Sequence, residues 1–205
     1  VLLGGTSSER DVSLASGLRI AAALREKGHD VVAIDTVRGA LGAAEESTLL
    51  ERGVMRTLPP DPAALALLGS TSLATTMRTL TESRQTDVVF LALHGGQGED
   101  GTIQALLDLT GLPYTGSGHL ASALAMDKDL SKRLFRDVGV PTPDWVMVKA
   151  GDGTNWKAPA FAERVVSQLQ LPVIVKPSKE GSTVGLTLVK NVESIAGAIA
   201  EAFIH

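Results

Sequence analysis

Apolar residues recur along this chain at two alternating spacings, and the alternation sets out its elements. Val1-Leu2-Leu3 is a short continuous apolar run, the end of a strand, and it is followed by Gly4-Gly5-Thr6-Ser7-Ser8, a turn carrying helix-capping residues. From Glu9 to Lys27 the apolar positions Val12, Leu14, Leu18, Ala22 and Leu24 fall at near-helical spacing, and Gly28 ends the helix. A second strand is predicted over Val31 to Ile34, a helix near Ala74 to Ser83, and a strand over Val88 to Leu93. A further helix runs from Thr102 to Leu109 and stops at Gly111, ahead of a Pro113-Tyr114 strand. Strands alternating with helices predict a parallel sheet, because parallel neighbours need a crossover between them. Thr36 to Thr86 holds short Ala/Leu runs broken by Pro59-Pro60-Asp61-Pro62, and it reads as an excursion from the first domain.

Past Gly116 the pattern changes. Ala121 to Val138 reads as one or two helices, Trp145 to Val148 as a strand behind Pro141 and Pro143, and Gly151 to Lys157 as a polar surface loop. A helix over Phe161 to Leu169, a strand leading to Lys176, a strand over Leu186 to Val189 and a helix from Glu193 to Phe203 complete the chain. The expected fold class is α/β: a parallel-sheet domain over residues 1–117, then a smaller α+β unit over residues 118–205, with the boundary at Gly116 and Gly118. Tyr114, Trp145 and Trp156 read as packing residues.

Composition narrows the function classes. The 205 residues are 44% hydrophobic, enough for a packed core, and the net charge of -4 leaves no basic patch for a nucleic-acid backbone. The longest apolar runs, such as Val88 to Leu93, are far shorter than a membrane span. With no Cys there are no disulfides or thiolate metal sites, and the start lacks the pattern of a secretory leader, so a cytoplasmic location is the expectation. Val1 already lies in a strand-like run, so a few preceding residues are expected.

The densest chemistry lies in Val173-Ile-Val-Lys-Pro-Ser-Lys-Glu-Gly-Ser-Thr-Val-Gly185. An apolar strand delivers Lys176 into a loop containing Gly181, Ser182, Thr183 and Gly185, whose backbone N–H groups could be aimed at phosphate oxygens. Lys176 precedes the glycines, so this is not a Walker A loop. On these residues alone an ordinary hairpin loop behind a solvent-reaching lysine stays open as the alternative. Gly96-Gln-Gly-Glu-Asp-Gly101 fits a dinucleotide fingerprint, but Glu99 and Asp100 would repel a pyrophosphate and read better as first-turn helix acids. Gly116-Ser-Gly-His-Leu-Ala121 is an equally weak match. Asp35, about thirty residues past the Gly4-Gly5 turn at the end of the second strand, is the best feature for a nicotinamide cofactor, yet that turn lacks the required glycine spacing. Glu9 at the first helix start and His94 at the end of the Val88 strand occupy positions where parallel sheets hold ligands.

Four ordered blocks carry a family resemblance. Gly4-Gly-Thr-Ser-Ser-Glu-Arg-Asp-Val-Ser-Leu14 comes first, then Ala92-Leu-His-Gly95 with Gly98-Glu-Asp-Gly101. Leu112-Pro-Tyr-Thr-Gly-Ser-Gly118 then leads into Ala121-Ser-Ala-Leu-Ala-Met-Asp-Lys128, and Leu171-Pro-Val-Ile-Val-Lys-Pro-Ser178 is followed by Glu180-Gly-Ser-Thr-Val-Gly185. Together they resemble the D-alanine–D-alanine ligase family over nearly the whole chain. The resemblance implies an ATP-grasp enzyme with a Rossmann-like N-terminal substrate domain, then an incomplete ATP-grasp central subdomain, and a C-terminal domain absent from these 205 residues. It implies ATP-dependent joining of two D-alanines through an acylphosphate, for peptidoglycan, by a homodimer.

By the same resemblance, Lys128 and Lys176 hold the nucleotide phosphates, with Glu180, Gly181, Ser182 and Thr183 completing the nucleotide site. Glu9 would take the ammonium of the first D-alanine, Ser182 would extend a hydrogen-bond network from Glu9 to the second, and His94 would lie near the first carboxylate. Magnesium is expected with ATP, its ligands lying beyond residue 205 along with an intermediate-stabilising arginine and a lid. Two other readings stand beside it: a ligase using D-lactate or D-serine as second substrate, and a non-catalytic nucleotide-binding module.

Overall fold

Leu2 and Leu3 are fully buried, and the first sheet is built outward from them. Strand β1 (Leu2–Leu3) pairs in parallel with β2 (Ile34–Asp35), placing Leu2 beside Ile34 and Leu3 beside Asp35. On the other side of β1, Leu2 N–H donates to the Phe90 carbonyl at 2.8 Å and Ala92 N–H to the Leu2 carbonyl at 2.9 Å. Val89 continues the parallel order to Tyr114. Successive strand residues face opposite sides of a sheet, so Leu2 and Leu3 enter different cores. Leu2 packs with Ile34, Val89, Ile103 and Leu107; Leu3 packs with Leu14, Leu18, Ala21 and Ala33.

The computed structural model describes residues 1–52, 71–82, 86–151 and 153–205, in two compact units, Val1–Ala123 and Leu124–His205. In the first unit, helix α1 (Arg10–Glu26) covers the Leu3 side, while α3 (Thr71–Glu82) and α4 (Thr102–Thr110) bring Leu80, Ile103 and Leu107 to the Leu2 side. Gly17 lets α1 approach closely: a Cβ there would lie 2.5 Å from the Leu3 Cβ and 3.3 Å from the Ala92 Cβ. Ser13, fully buried, holds the same contact in polar terms. Its Oγ donates to the Ala92 carbonyl at 2.7 Å and accepts from Gly4 N–H at 2.9 Å.

Helix α5 (His119–Met126) runs across the division between the units. In the second unit, α6 (Lys128–Asp137) starts at Asp127, whose carboxylate accepts from Asp129 N–H at 3.0 Å and Leu130 N–H at 3.1 Å. Strands β4 (Val173–Val175) and β5 (Thr187–Val189) are antiparallel. Helices α7 (Pro159–Leu169) and α8 (Ile195–Ala202) cover one face of this pair, burying Val173 and Val189 with Phe161, Val165, Ile195 and Ile199.

Several expectations are corrected. The second strand begins at Ile34 and takes in Asp35, rather than spanning Val31 to Ile34. Trp145 to Val148 forms no strand, because Trp145 is drawn onto α6 by side-chain contacts in place of ladder pairing. Val88 to Leu93 is extended but pairs through isolated bridges at Val89 and Leu91. The sheet is not wholly parallel: a strand β3 (Gly39–Ala40) pairs antiparallel with β2 by a tight turn. The excursion after Thr36 contains β3, helix α2 (Ala43–Arg52) and α3, and its residues 53–70 and 83–85, including the Pro59 to Pro62 break, lie outside the described residues. Tyr114 packs against the Leu2 core as expected and also donates to Asp108 at 2.8 Å.

The Gly17 contact is open to test. Alanine would be favoured over glycine in a helix interior by about 1 kcal/mol, but overpacking a filled contact costs about 1–3 kcal/mol. Gly17→Ala is therefore expected to lower the urea midpoint, and Gly17→Val to lower it further. A Gly17→Ala protein more stable than the parent would show that α1 can move away from Leu3.

Candidate functional site

In the first unit the polar groups gather where the parallel strands end. Arg10, in the first turn of α1, makes a two-pronged ion pair with Asp35 at the end of β2, with side chains only 9% and 2% exposed. Arg10 Nη1 also donates to the Gly5 carbonyl at 2.7 Å, and Asp35 Oδ1 accepts from Val37 N–H at 2.9 Å. Gly4 sits against this pair with φ +80°, where a Cβ would meet Arg10 Nη1 at 2.9 Å. Asp35 is thus occupied by Arg10 and is not presented to a ribose.

Glu9 immediately precedes Arg10 and is buried, at 8% exposure. Its backbone N–H donates to Ser7 Oγ at 3.2 Å, and a Cβ on Gly95 would fall 3.0 Å from its Oε2. Gly95 has φ +66°, so the backbone after His94 turns back close to Glu9 and Ser7. His94 is fixed from both sides. Its Nε2 lies 3.0 Å from Ser16 Oγ, its Nδ1 lies 3.8 Å from Glu99 Oε1, and its carbonyl accepts from Ser7 Oγ. Glu9 and His94 therefore converge, and a cleft bounded by Gly5, Ser7, Thr36, Leu93, His94 and Gly98 opens beside them. The acid at Asp100 serves the helix start as expected, its Oδ1 accepting from Thr102 N–H at 2.9 Å.

In the second unit Lys128 leads α6, and its Nζ donates to the Ser178 carbonyl at 3.2 Å and to the Glu180 carbonyl. Burial first, and then the neighbouring Lys176 charge, hold the Lys128 ammonium below the usual lysine range. Lys176 is exposed just past the end of β4. The loop that follows Lys176 is folded by two local bonds, Val184 N–H to the Gly181 carbonyl at 3.0 Å and Leu186 N–H to the Thr183 carbonyl at 3.1 Å. Ser182 and Thr183, both exposed, have φ of 44° and 64°, a left-handed conformation that non-glycine residues rarely adopt. Thus Lys128, Lys176, Glu180 and the Gly181–Thr183 loop are brought together. Glu9 and Ser182 belong to different units.

Sequence reasoning passed over two contributors, Ser7 and Ser16, which hold His94 and had no signal beyond their place in the capping turn and on α1.

A parallel-stranded α/β unit with polar groups at its strand ends, followed by an α+β unit with lysines over a glycine loop, is an arrangement suited to small charged ligands. Residues 1–117 match the family model described as D-ala D-ala ligase N-terminus, and residues 134–205 match D-ala D-ala ligase C-terminus, so the chain belongs to the D-alanine–D-alanine ligase family. It is 42% identical over 202 residues to the D-alanine–D-alanine ligase of Ralstonia pickettii, covering 98% of this chain and 47% of that protein. It is 40% identical over 198 residues to that of Verminephrobacter eiseniae, covering 97% and 46%. The solved D-alanine–D-alanine ligase of Coxiella burnetii matches with a TM-score of 0.71 at 28% identity, over 100% of this chain and 59% of that one. The Helicobacter pylori enzyme shares the fold, with a TM-score of 0.67 at 23% identity. The chain spans about half the length of the curated relatives it matches. The mixed α/β class is as expected from the sequence.

Lys128 tethers the loop through two carbonyls, so Lys128→Met should loosen it. A hydrogen bond from a charged group contributes about 1.5–3 kcal/mol at most, and partial exposure of this amine argues for about 1 kcal/mol. Amide exchange over residues 179–185 is expected to quicken about fivefold, with exchange in β4 unchanged. Equal exchange in parent and variant would show that the tether does not restrain the loop.

Proposed function

We propose that this chain is the substrate- and nucleotide-binding part of an ATP-dependent ligase that joins two D-alanines into D-alanyl-D-alanine, for peptidoglycan. The observation that carries this is the convergence of Lys128, Lys176 and the Gly181–Thr183 loop in a chain that matches about half the length of relatives bearing that ligase name. The first unit would be the Rossmann-like D-alanine domain and the second the ATP-grasp central subdomain, divided at 117/118, with a C-terminal domain following. A homodimer in the cytoplasm completes the proposal.

The chemistry follows from charge. ATP would phosphorylate the carboxylate of the first D-alanine, the amine of the second would attack the acylphosphate carbonyl, and phosphate would leave the tetrahedral intermediate. Negative charge gathers on the transferring phosphoryl group, and Lys128, Lys176 and the loop N–H groups would stabilise it. Glu9 would hold the first ammonium, its burial strengthening that contact. His94, oriented by Ser16, would face the first carboxylate. Ser182 would connect Glu9 to the second substrate. Among the described residues no group of three or more His, Asp or Glu side chains is placed to hold a metal ion. The magnesium that accompanies ATP in the family would take its ligands from beyond residue 205.

The full-length protein is expected to release ADP and phosphate only when D-alanine is present. No D-alanine-dependent release would refute the proposal, and preference for D-lactate as second substrate would move it to a depsipeptide ligase. Removing one partner of a desolvated charge contact costs about 2–5 kcal/mol, so Lys128→Ala and Lys176→Ala should weaken ATP binding tens-fold or more in calorimetry. Glu9→Gln should leave ATP affinity intact and raise the KM for D-alanine. Ser182→Ala should reduce turnover more than ATP affinity; a loss confined to affinity would leave Ser182 a phosphate ligand alone.

A further inference from the structure

Helix α6 carries a stripe of positive charge at Lys128, Lys132 and Arg136, each four residues from the last and so stacked on one face. Like charges at this spacing oppose helix formation, which leaves the stripe needing another explanation. Arg136 is ion-paired with Asp144, and Lys128 is bonded to the loop carbonyls of Ser178 and Glu180. Arg133, on the neighbouring face, pairs with buried Asp129 at 3.1 Å. Lys132 differs from all of these. Its amine lies 5.0 Å from the centre of the Trp145 ring and is in ion-pair contact with no carboxylate among the described residues.

Trp145 is itself a built platform. Its Nε1 donates to Asp129 at 2.7 Å, and Arg136 lies 4.5 Å from its ring centre, so the indole is fixed on α6 by a hydrogen bond and a second cation. The Lys132 stem is therefore held in place, since a lysine laid on a ring loses much of its freedom. Burial first, then Lys176, then Arg136, hold the Lys132 ammonium below the usual lysine range, while Asp144 acts in the opposite sense. Lys176 has the same effect on Lys128. Lys176, just past the end of β4, thus bears on both Lys128 and Lys132 on the face of α6, while Glu180 and Asp127 act on Lys128 in the opposite sense.

We propose that Lys132 is a third phosphate-binding lysine, which Trp145 positions so that it, Lys128 and Lys176 surround one polyanion, the triphosphate of a nucleotide. This rests on the assignment of the second unit to ATP binding and adds a residue to it. The role is electrostatic: the amine contacts phosphate oxygens and leaves the base and sugar to other groups. Lys132 is thereby a determinant of triphosphate over adenosine.

The test is calorimetry on the full-length protein with ATP, inorganic tripolyphosphate and adenosine. Lys132→Met keeps the apolar stem over Trp145 and removes the charge; Lys132→Arg keeps the charge. Lys132→Met is expected to weaken ATP and tripolyphosphate about tenfold, to leave adenosine unchanged, and to flatten the salt dependence of ATP affinity, with Lys132→Arg recovering most of the loss. If Lys132→Met binds tripolyphosphate as the parent does while Lys128→Ala does not, Lys132 only packs on Trp145 and the inference is overturned. If Lys132→Arg fails to recover affinity, the effect comes from altered packing and the inference is likewise overturned. Failure of the unaltered protein to bind ATP or tripolyphosphate would instead remove the underlying assignment.

Discussion

The buried Arg10–Asp35 ion pair is the constraint around which the first unit is arranged. Two opposite charges nearly removed from water are tolerable only when every polar atom has a partner, and here the Gly5 carbonyl and Val37 N–H complete the set. Removing either partner would strand the other, at a cost of about 3–5 kcal/mol. The pair fixes the first turn of α1 against the end of β2, and Ser13 repeats the anchoring one turn on, against the Ala92 carbonyl. Glu9 is the residue just before that fixed turn. Its carboxylate is held near Gly95 and Ser7 because the first turns of α1 are anchored, so a structural ion pair decides where a candidate binding group stands.

In the second unit the governing problem is repulsion. Lys176 bears on both Lys128 and Lys132, and the protein offsets this charge with carbonyl oxygens, an indole ring and the fields of Glu180, Asp127 and Asp144, with no carboxylate in ion-pair contact with Lys128 or Lys132 among the described residues. Carbonyls and rings attract cations weakly enough to be displaced, whereas an aspartate in ion-pair contact would compete with any incoming phosphate. Asp129 shows the contrast: its carboxylate is engaged by Arg133 and Trp145, which holds it below the usual carboxylate range and keeps it turned to a structural task. The left-handed backbone at Ser182 and Thr183 belongs to the same loop, where strain is tolerated at exposed residues.

The hydrophobic pattern by itself determined the long helices, the parallel rhythm and the strand that ends at Lys176, since each depends on periodicity over many residues or on a run of β-branched side chains. The four motif blocks likewise determined the family, and with it Glu9, His94, Lys128, Lys176 and the glycine loop as a set of candidates. What only the tertiary structure decided depends on contacts between residues far apart in the chain. Asp35 was the best feature for a nicotinamide cofactor by its place at a strand end, and Arg10, twenty-five residues away, shows it to be structural. Trp145 to Val148 looked like a strand, and side chains of α6 took Trp145 instead. Lys132 carried no weight as one more lysine on an amphipathic helix, and gained it only when folding placed it within reach of Lys176's charge and in ion-pair contact with no carboxylate among the described residues. Spacing along a chain reports which face of an element a residue occupies; which charge neutralises which is settled by the distances that folding imposes.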